Sequence, residues 1–331
     1  MTDAKIVRSA SEPRWTYRKG LHDLGEGVWA WLQPDGGWGW SNAGLIADGD
    51  EALLIDTLFD ARLTAEMLTA MDRAVGVAAD EIDILVNTHA NGDHTFGNGL
   101  VAQARIIASK ASAAEMEDQT PGALAALMRR TDELGRTGAY LERIFGAFDF
   151  ENAAPRVPTE TFSGALSVSV GARTVDLYEV GPAHTAGDVI VHDREAGIVF
   201  TGDILFIDGT PLIWAGPVSN WLRACDLICS LAPQVIVPGH GPITDERGVR
   251  RVQDYLRYID GEARSRFEAG MAAEDAVLDM ALGDFASWGD AERLAVNVAS
   301  LYREYRGGPD PGGESSPFRL MAALASRGPK R

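Results

Sequence analysis

The chain has 331 residues, with 48 acidic against 30 basic side chains, a formal net charge of −18 and a pI near 4.7. This balance argues against nucleic acid as substrate, because phosphate contacts need clustered lysine and arginine. The length suffices for a large core, no apolar run approaches the roughly 18–20 residues that span a bilayer, and residues 1–8 lack a signal peptide's apolar segment. A cytoplasmic protein acting on a small molecule is expected.

In chain order, apolar runs separated by glycine and aspartate turns predict strands at 28–33, 42–47 and 52–56. Four of the eight tryptophans fall between residues 29 and 40. Trp29 and Trp31 are expected to face one side of a sheet. Trp38 and Trp40 flank Gly39 in a Gly-rich turn and are expected as an exposed pair on a mobile loop, suited to gripping an apolar substrate. Residues 62–73 predict a helix with Leu63, Met67, Leu68 and Met71 on its apolar face. Strands follow at 82–87 and 105–108. Residues 110–150, rich in Ala, Leu, Met and Glu, predict two or three helices broken near Pro121 and at 135–138. Strands resume at 166–170, 174–180, 189–192 and 197–201, then a helix at 221–231 and a strand at 235–237. Cys225 and Cys229 suit neither a zinc knuckle nor a redox pair and are expected as reduced core residues. Val249, Val252, Leu256, Ile259, Ala263 and Phe267 mark a long amphipathic helix. Leu294, Val298, Leu301 and Tyr305 mark another, with Asp290 as N-cap and Gly307-Gly308 as stop. Residues 309–316 read as a loop. The expected organisation is a domain over 1–245 with a helical insert at about 110–150, and a helical extension over 246–331 that packs on it. A homodimer through the extension is left open.

The chemistry lies in the loop after the strand at 82–87. Asn87-Thr88-His89-Ala90-Asn91-Gly92-Asp93-His94 delivers imidazole, carboxylate and carboxamide donors to one strand tip. Imidazole nitrogen and carboxylate oxygen are the usual ligands of divalent metals such as zinc. Of six histidines, His89, His94, His184 and His240 share a context, an apolar run close by and a small neighbour; Asp203 follows such a run as Thr201-Gly202-Asp203. Glycine permits the close backbone approach that a crowded coordination shell needs. Neither a Gly-x-Ser-x-Gly elbow nor a Gly-rich phosphate loop occurs.

The order of these motifs closely resembles the metallo-β-lactamase superfamily, with its His-x-His-x-Asp-His, later His, strand-end Gly-Asp and final Gly-His. The resemblance covers about residues 28–242. It implies an α/β fold of the αββα four-layer sandwich type, with the site at one edge. It also implies two adjacent metal positions: His89, residue 91 and His184 at the first, Asp93, His94 and His240 at the second, with Asp203 bridging. One or two Zn2+ ions per chain are expected, iron or manganese being alternatives. Where the family has its second histidine this chain has Asn91. That amide coordinates through oxygen, orients a water, or leaves the first position weak. The implied reaction is attack of a metal-bound hydroxide on an ester or lactone of a hydrophobic small molecule, with Asp93 orienting the nucleophile. Trp38 and Trp40, with Phe206 and Trp214 after Asp203, are the expected substrate contacts. The alternatives are a thioester hydrolase of glyoxalase II type and a mononuclear iron enzyme oxidising sulfur compounds.

Overall fold

The computed structural model describes residues 15–308 and 317–327; the readings of residues 1–8 and 309–316 lie outside them. Seven strands form the first sheet. They are β1 (Gly20–Gly25), β2 (Val28–Leu32), β3 (Ala43–Asp48), β4 (Glu51–Ile55), β5 (Ile84–Val86), β6 (Arg105–Ser109) and β7 (Glu160–Phe162), in that spatial order. Pairing is antiparallel as far as β4 and parallel beyond it. The second sheet runs β12-β11-β10-β9-β8. Its members are β8 (Ala165–Val170), β9 (Arg173–Glu179), β10 (Val189–Asp193), β11 (Ile198–Phe200) and β12 (Val235–Val237), antiparallel except where β12 joins β11.

Side chains alternate across a strand, so each sheet has two apolar faces to cover. Leu53 and Ile55 of β4 join Val168, Leu177, Val191 and Phe200 in the core between the sheets. Leu54 of the same strand points the other way. It shares a cluster with Leu63, Met67 and Met71 of α1 (Ala61–Val75). Across the molecule, Ile190, Val199 and Ile236 belong to that cluster with Trp221, Ala224, Cys225 and Ile228 of the helix Val218–Ser230. Helix, sheet, sheet, helix is the four-layer sandwich expected from the motif order. Cys225 is buried as expected, whereas Cys229 is only partly buried; both are free thiols.

A one-turn helix α2 (Gly92–Thr95) follows β5, and the insert folds as α3 (Lys110–Asp118), α4 (Pro121–Met128) and α5 (Gly135–Phe145). Pro121 starts α4, and the second break falls just before Gly135, so 135–138 opens a helix instead of interrupting one. The helix Val218–Ser230 is α6; α7 (Glu246–Glu268), α8 (Ala273–Asp279), α9 (Leu294–Arg306) and α10 (Pro317–Ala325) complete the described chain. None of the described helices is long and apolar enough to cross a membrane. Gly307 closes α9 in the left-handed conformation, as read from sequence. Asp290 does not cap it. It is itself left-handed (φ 54°), its side chain pairs with Arg293 at 2.9 Å, and a 3-10 turn over Ala291–Arg293 intervenes.

The Trp38–Trp40 turn is not an exposed pair. Trp38 is half-buried, its ring 5.8 Å from Phe145 and 6.3 Å from Phe318, and Trp40 lies 4.9 Å from Phe148. Gly39 between them has φ +73°, and a Cβ there would collide with the rings of Phe59 and Phe148. Gly39→Ala is therefore expected to cost about 2–4 kcal/mol, combining left-handed strain with overpacking. A denaturant midpoint equal to wild type would show that the turn is as mobile as the sequence suggested.

Candidate metal centre

The loop after β5 is held before any ligand is considered. Asn87 and Asn98 exchange side-chain amide bonds at 3.2 and 2.8 Å, Thr57 donates to Asn98 Oδ1 at 2.9 Å, and Asn87 Nδ2 donates to the His94 carbonyl at 3.1 Å. All four are buried. His89, Asp93 and His94 project from this braced loop and α2. His184 comes from the β9–β10 connection, Asp203 from the 3-10 turn after β11, and His240 from the turn after β12. Gly239 has no side chain for good reason, since a Cβ there would run into Asp203 Oδ1.

Asp203 is the hub. Its carboxylate oxygens lie 3.2 Å from His94 Nε2, 3.3 Å from His184 Nε2, 3.5 Å from His240 Nε2 and 3.7 Å from His89 Nε2. Asp93 Oδ2 lies 3.3 Å from His240 Nε2. Two overlapping groups have the spacing to hold a metal ion, His89, His94 and Asp203 in one and Asp93, His94 and His240 in the other. The structure thus brings together His89, Asp93, His94, His184, Asp203 and His240. Asn91 stands with them, its amide nitrogen 3.0 Å from His184 Nε2.

The outer hydrogen bonds decide which ring nitrogen faces inward. His94 Nδ1 meets Asp56 Oδ2 at 2.8 Å, His184 Nδ1 the Leu212 carbonyl at 2.7 Å, and His240 Nδ1 the Gly36 carbonyl at 3.1 Å. Those partners only accept, so each Nδ1 carries the proton. His89 Nδ1 lies 3.1 Å from Thr88 Oγ1, whose own hydrogen goes to Asp56 Oδ2 at 2.7 Å. Thr88 accepts there, so the Nε2 atoms of all four rings turn towards Asp203. His89 Nε2, His94 Nε2 and Asp203 Oδ1 are buried without a hydrogen-bond partner. Such orphaned groups cost about 1–3 kcal/mol each. A divalent cation satisfies them together, so this donor set fits a metal. Asn91 is the exception. With its amide nitrogen toward His184 it donates to a lone pair the first position needs. The reverse orientation would oppose two lone pairs across 3.0 Å and requires a cation between them.

Asp56 was missed in the sequence. It is buried with φ +61°, and accepts from the Thr88 amide and hydroxyl and from His94. Its only signal was a carboxylate ending the apolar run at 52–56.

Burial first, then neighbouring imidazoles, holds His89 below the ordinary histidine range; burial likewise lowers His184. Burial also opposes charge at His94 and His240, but Asp203 foremost outweighs it, holding His94 well up and His240 at about 9. Burial would raise Asp93, yet His94 and His240 bring it down to about 2. Protons therefore compete with cations for His94, and for His240 below about pH 9, and metal uptake must release them. Zinc affinity is expected to fall about 10²–10⁴-fold from pH 8 to pH 6, one power of ten per displaced proton per unit. A competing-chelator titration independent of pH would refute this charge assignment.

The centre opens into a cleft of about 470 Å³. Asn91, Asp93, Asp203 and His240 lie at its base; Trp38, Phe59, Phe145, Leu212, Trp214 and Phe318 are among its apolar walls. Of the expected substrate contacts, Trp38, Phe206 and Trp214 line it and Trp40 does not. Phe206 also stacks flat on His240, ring centres 5.0 Å apart. Phe59, Phe145, Phe318, Glu115 and Arg293 were not anticipated. Arg293 is the one arginine or lysine among the described lining residues. It is buried, bonded to the Thr210 carbonyl at 3.0 Å and Asp290 at 2.9 Å, and lies 4.6 Å from the Trp38 ring.

A family model described as the metallo-beta-lactamase superfamily matches residues 36–240, more than half of the chain. The protein belongs to that superfamily, and its class is that of the metallo-hydrolases of this fold. It is 25% identical over 214 residues to acyl-coenzyme A thioesterase MBLAC2 of Gallus gallus, covering 61% of this chain and 74% of that protein. It is 23% identical over 218 residues to the beta-lactamase-like protein 2 homolog of Caenorhabditis elegans, covering 66% of this chain but only 61% of the relative. A metallo-beta-lactamase from Pontibacter korlensis matches with a TM-score of 0.55 at 18% identity, over 72% of this chain and 99% of that one. The sec-alkylsulfatase Pisa1 from Pseudomonas sp. matches with a TM-score of 0.63 at 14% identity, over 87% of this chain and 50% of that one. Both structural likenesses establish the fold.

Proposed function

We propose that this protein hydrolyses a carboxylic ester or lactone of an apolar small molecule, with zinc held by His89, His94, His184, His240, Asp93 and Asp203. The observation that carries the reading is the convergence of four tautomer-locked Nε2 atoms on Asp203 at the base of an apolar cleft. When bound, the metal lowers the pKa of water towards 7 and polarises the oxygen under attack. The chain's own residues do the rest. Asp93 reaches the cleft, and its carboxylate, kept ionised beside His94 and His240, orients the attacking water and accepts its proton at the oxygen that His240 does not face. Trp38, Phe145 and Trp214 hold the apolar part of the substrate and exclude water. One tryptophan ring buries ~150–250 Å², worth up to several kcal/mol at ~25 cal/mol per Å² before ordering costs.

A thioester is the second reading, favoured by the relatives named acyl-coenzyme A thioesterases. The cleft distinguishes the two parts of such a substrate. An acyl chain suits its walls, but a polyphosphate leaving group finds, among the described lining residues, Glu115, Asp118 and an Arg293 already paired with Asp290. A small, uncharged leaving group suits it better.

Elemental analysis of protein purified without added metal, with ester, lactone and thioester hydrolysis assayed on the same sample, tests the proposal. Zinc with ester or lactone turnover is expected, and Asp93→Asn should lower kcat about 10²–10⁴-fold, the usual worth of a general base. A single iron per chain with oxygen consumption would replace hydrolysis by sulfur-compound oxidation.

The two turn tryptophans should separate cleanly. Trp38→Ala is expected to raise KM for apolar esters about tenfold or more, the loss of part of one ring's burial. Trp40→Ala should lower melting temperature with KM unchanged, because its ring packs on Phe148 away from the cleft. Equal effects on KM would place both rings on the substrate.

A further inference from the structure

We infer that Asn297, on the C-terminal helix α9, is a positioning residue for His184, and that α9 is thereby a working part of the metal centre. This inference rests on the metal-centre reading above. His184 depends on a stretch of chain with no regular structure. Its Nδ1 proton goes to the Leu212 carbonyl at 2.7 Å, and its own carbonyl accepts from Trp214 N at 3.0 Å and Ala215 N at 3.1 Å. Residues 210–217 belong to no helix or strand, so no ladder sets the direction of that carbonyl.

Asn297 sets it. Its Oδ1 accepts from Ile213 N at 2.9 Å and its Nδ2 donates to the Pro211 carbonyl at 2.8 Å, bracketing Leu212 on both sides. An amide N–H can only donate and a carbonyl can only accept, so the orientation of the Asn297 amide is unambiguous. The second Nδ2 hydrogen goes to Tyr255 Oη of α7 at 2.9 Å, which completes the bonding of a fully buried side chain. Neighbouring turns of α9 extend the grip. Ser300 donates to the Ile213 carbonyl and Arg303 to the Trp214 carbonyl at 2.7 Å. The order of dependence is α9, Asn297, the Leu212 carbonyl, the His184 tautomer, and the lone pair at the first metal position. None of α9 lies within residues 36–240, the span matched by the family model.

The test compares Asn297→Ala, Asn297→Asp and Tyr255→Phe in the full chain. It uses zinc titration against a competing chelator and nitrogen-detected NMR of the His184 ring. In wild type the Nδ1 proton of His184 should appear as a slowly exchanging signal. Asn297→Ala should weaken the weaker zinc step about 10–100-fold, as lost outer-shell support does, and shift or broaden that signal. Asn297→Asp keeps the acceptor for Ile213 but sets a carboxylate oxygen against the Pro211 carbonyl, so it should act in the same direction. Tyr255→Phe leaves both bonds to the loop and should lower stability without moving either readout. A folded Asn297 variant with wild-type zinc affinity and an unchanged ring signal overturns the inference. Should Asn297→Ala fail to fold, the aspartate variant decides between the same two outcomes. A wild-type protein that takes up no metal would instead sink the metal reading, while the ring signal still judges the link from Asn297 to His184.

Discussion

Asp203 is surrounded by four histidine Nε2 atoms at 3.2 to 3.7 Å, each turned inward because something behind it occupies Nδ1. In the folded chain this is a costly arrangement. Buried donors and acceptors go unpartnered. It persists only because Asp56, Thr88, Leu212 and Gly36 are themselves held rigidly. The rest of the structure can be read as support for these four outer partners.

The sandwich provides that support from both halves. Asp56 directly follows β4 and the 87–94 loop leaves β5, adjacent parallel strands, so Asp56 reaches Thr88 and His94 across one strand spacing. Asp203 and His240 follow β11 and β12, likewise adjacent and parallel. Parallel neighbours end on the same side, so loops far apart in sequence meet at one edge. His184 alone comes from an antiparallel connection, and the segment that carries its Nδ1 partner is bonded to α9.

The sandwich loops, the helical insert and the C-terminal region all contribute walls to the cleft. Glu115, Leu124 and Phe145 come from the insert, Arg293 and Phe318 from the C-terminal region. Phe206 belongs to both structures, lining the cleft while stacking on His240. The cleft wall and the histidine cluster are therefore coupled through one ring, and large changes to the walls are expected to reach His240.

Much of this was legible in the chain. The donors were, because a ligand loop is local: His89, Asp93 and His94 lie within six residues, and His184, Asp203 and His240 each follow an apolar run. The longer strands and amphipathic helices were too, since periods of 2 and 3.6 show over five or more residues. Strands β1 and β7 were not, nor were α8 and α10, being short or irregular in pattern. Only the tertiary structure decided the rest. A backbone carbonyl is the same for every residue, so nothing in Gly36 or Leu212 announces a histidine partner. Trp38 and Trp40 look alike in sequence, but Phe145 and Phe148 separate their fates from more than a hundred residues away. Sequence by itself determined which atoms could bind a metal; long-range packing decided which nitrogen of each histidine faces Asp203 and which tryptophan faces the cleft.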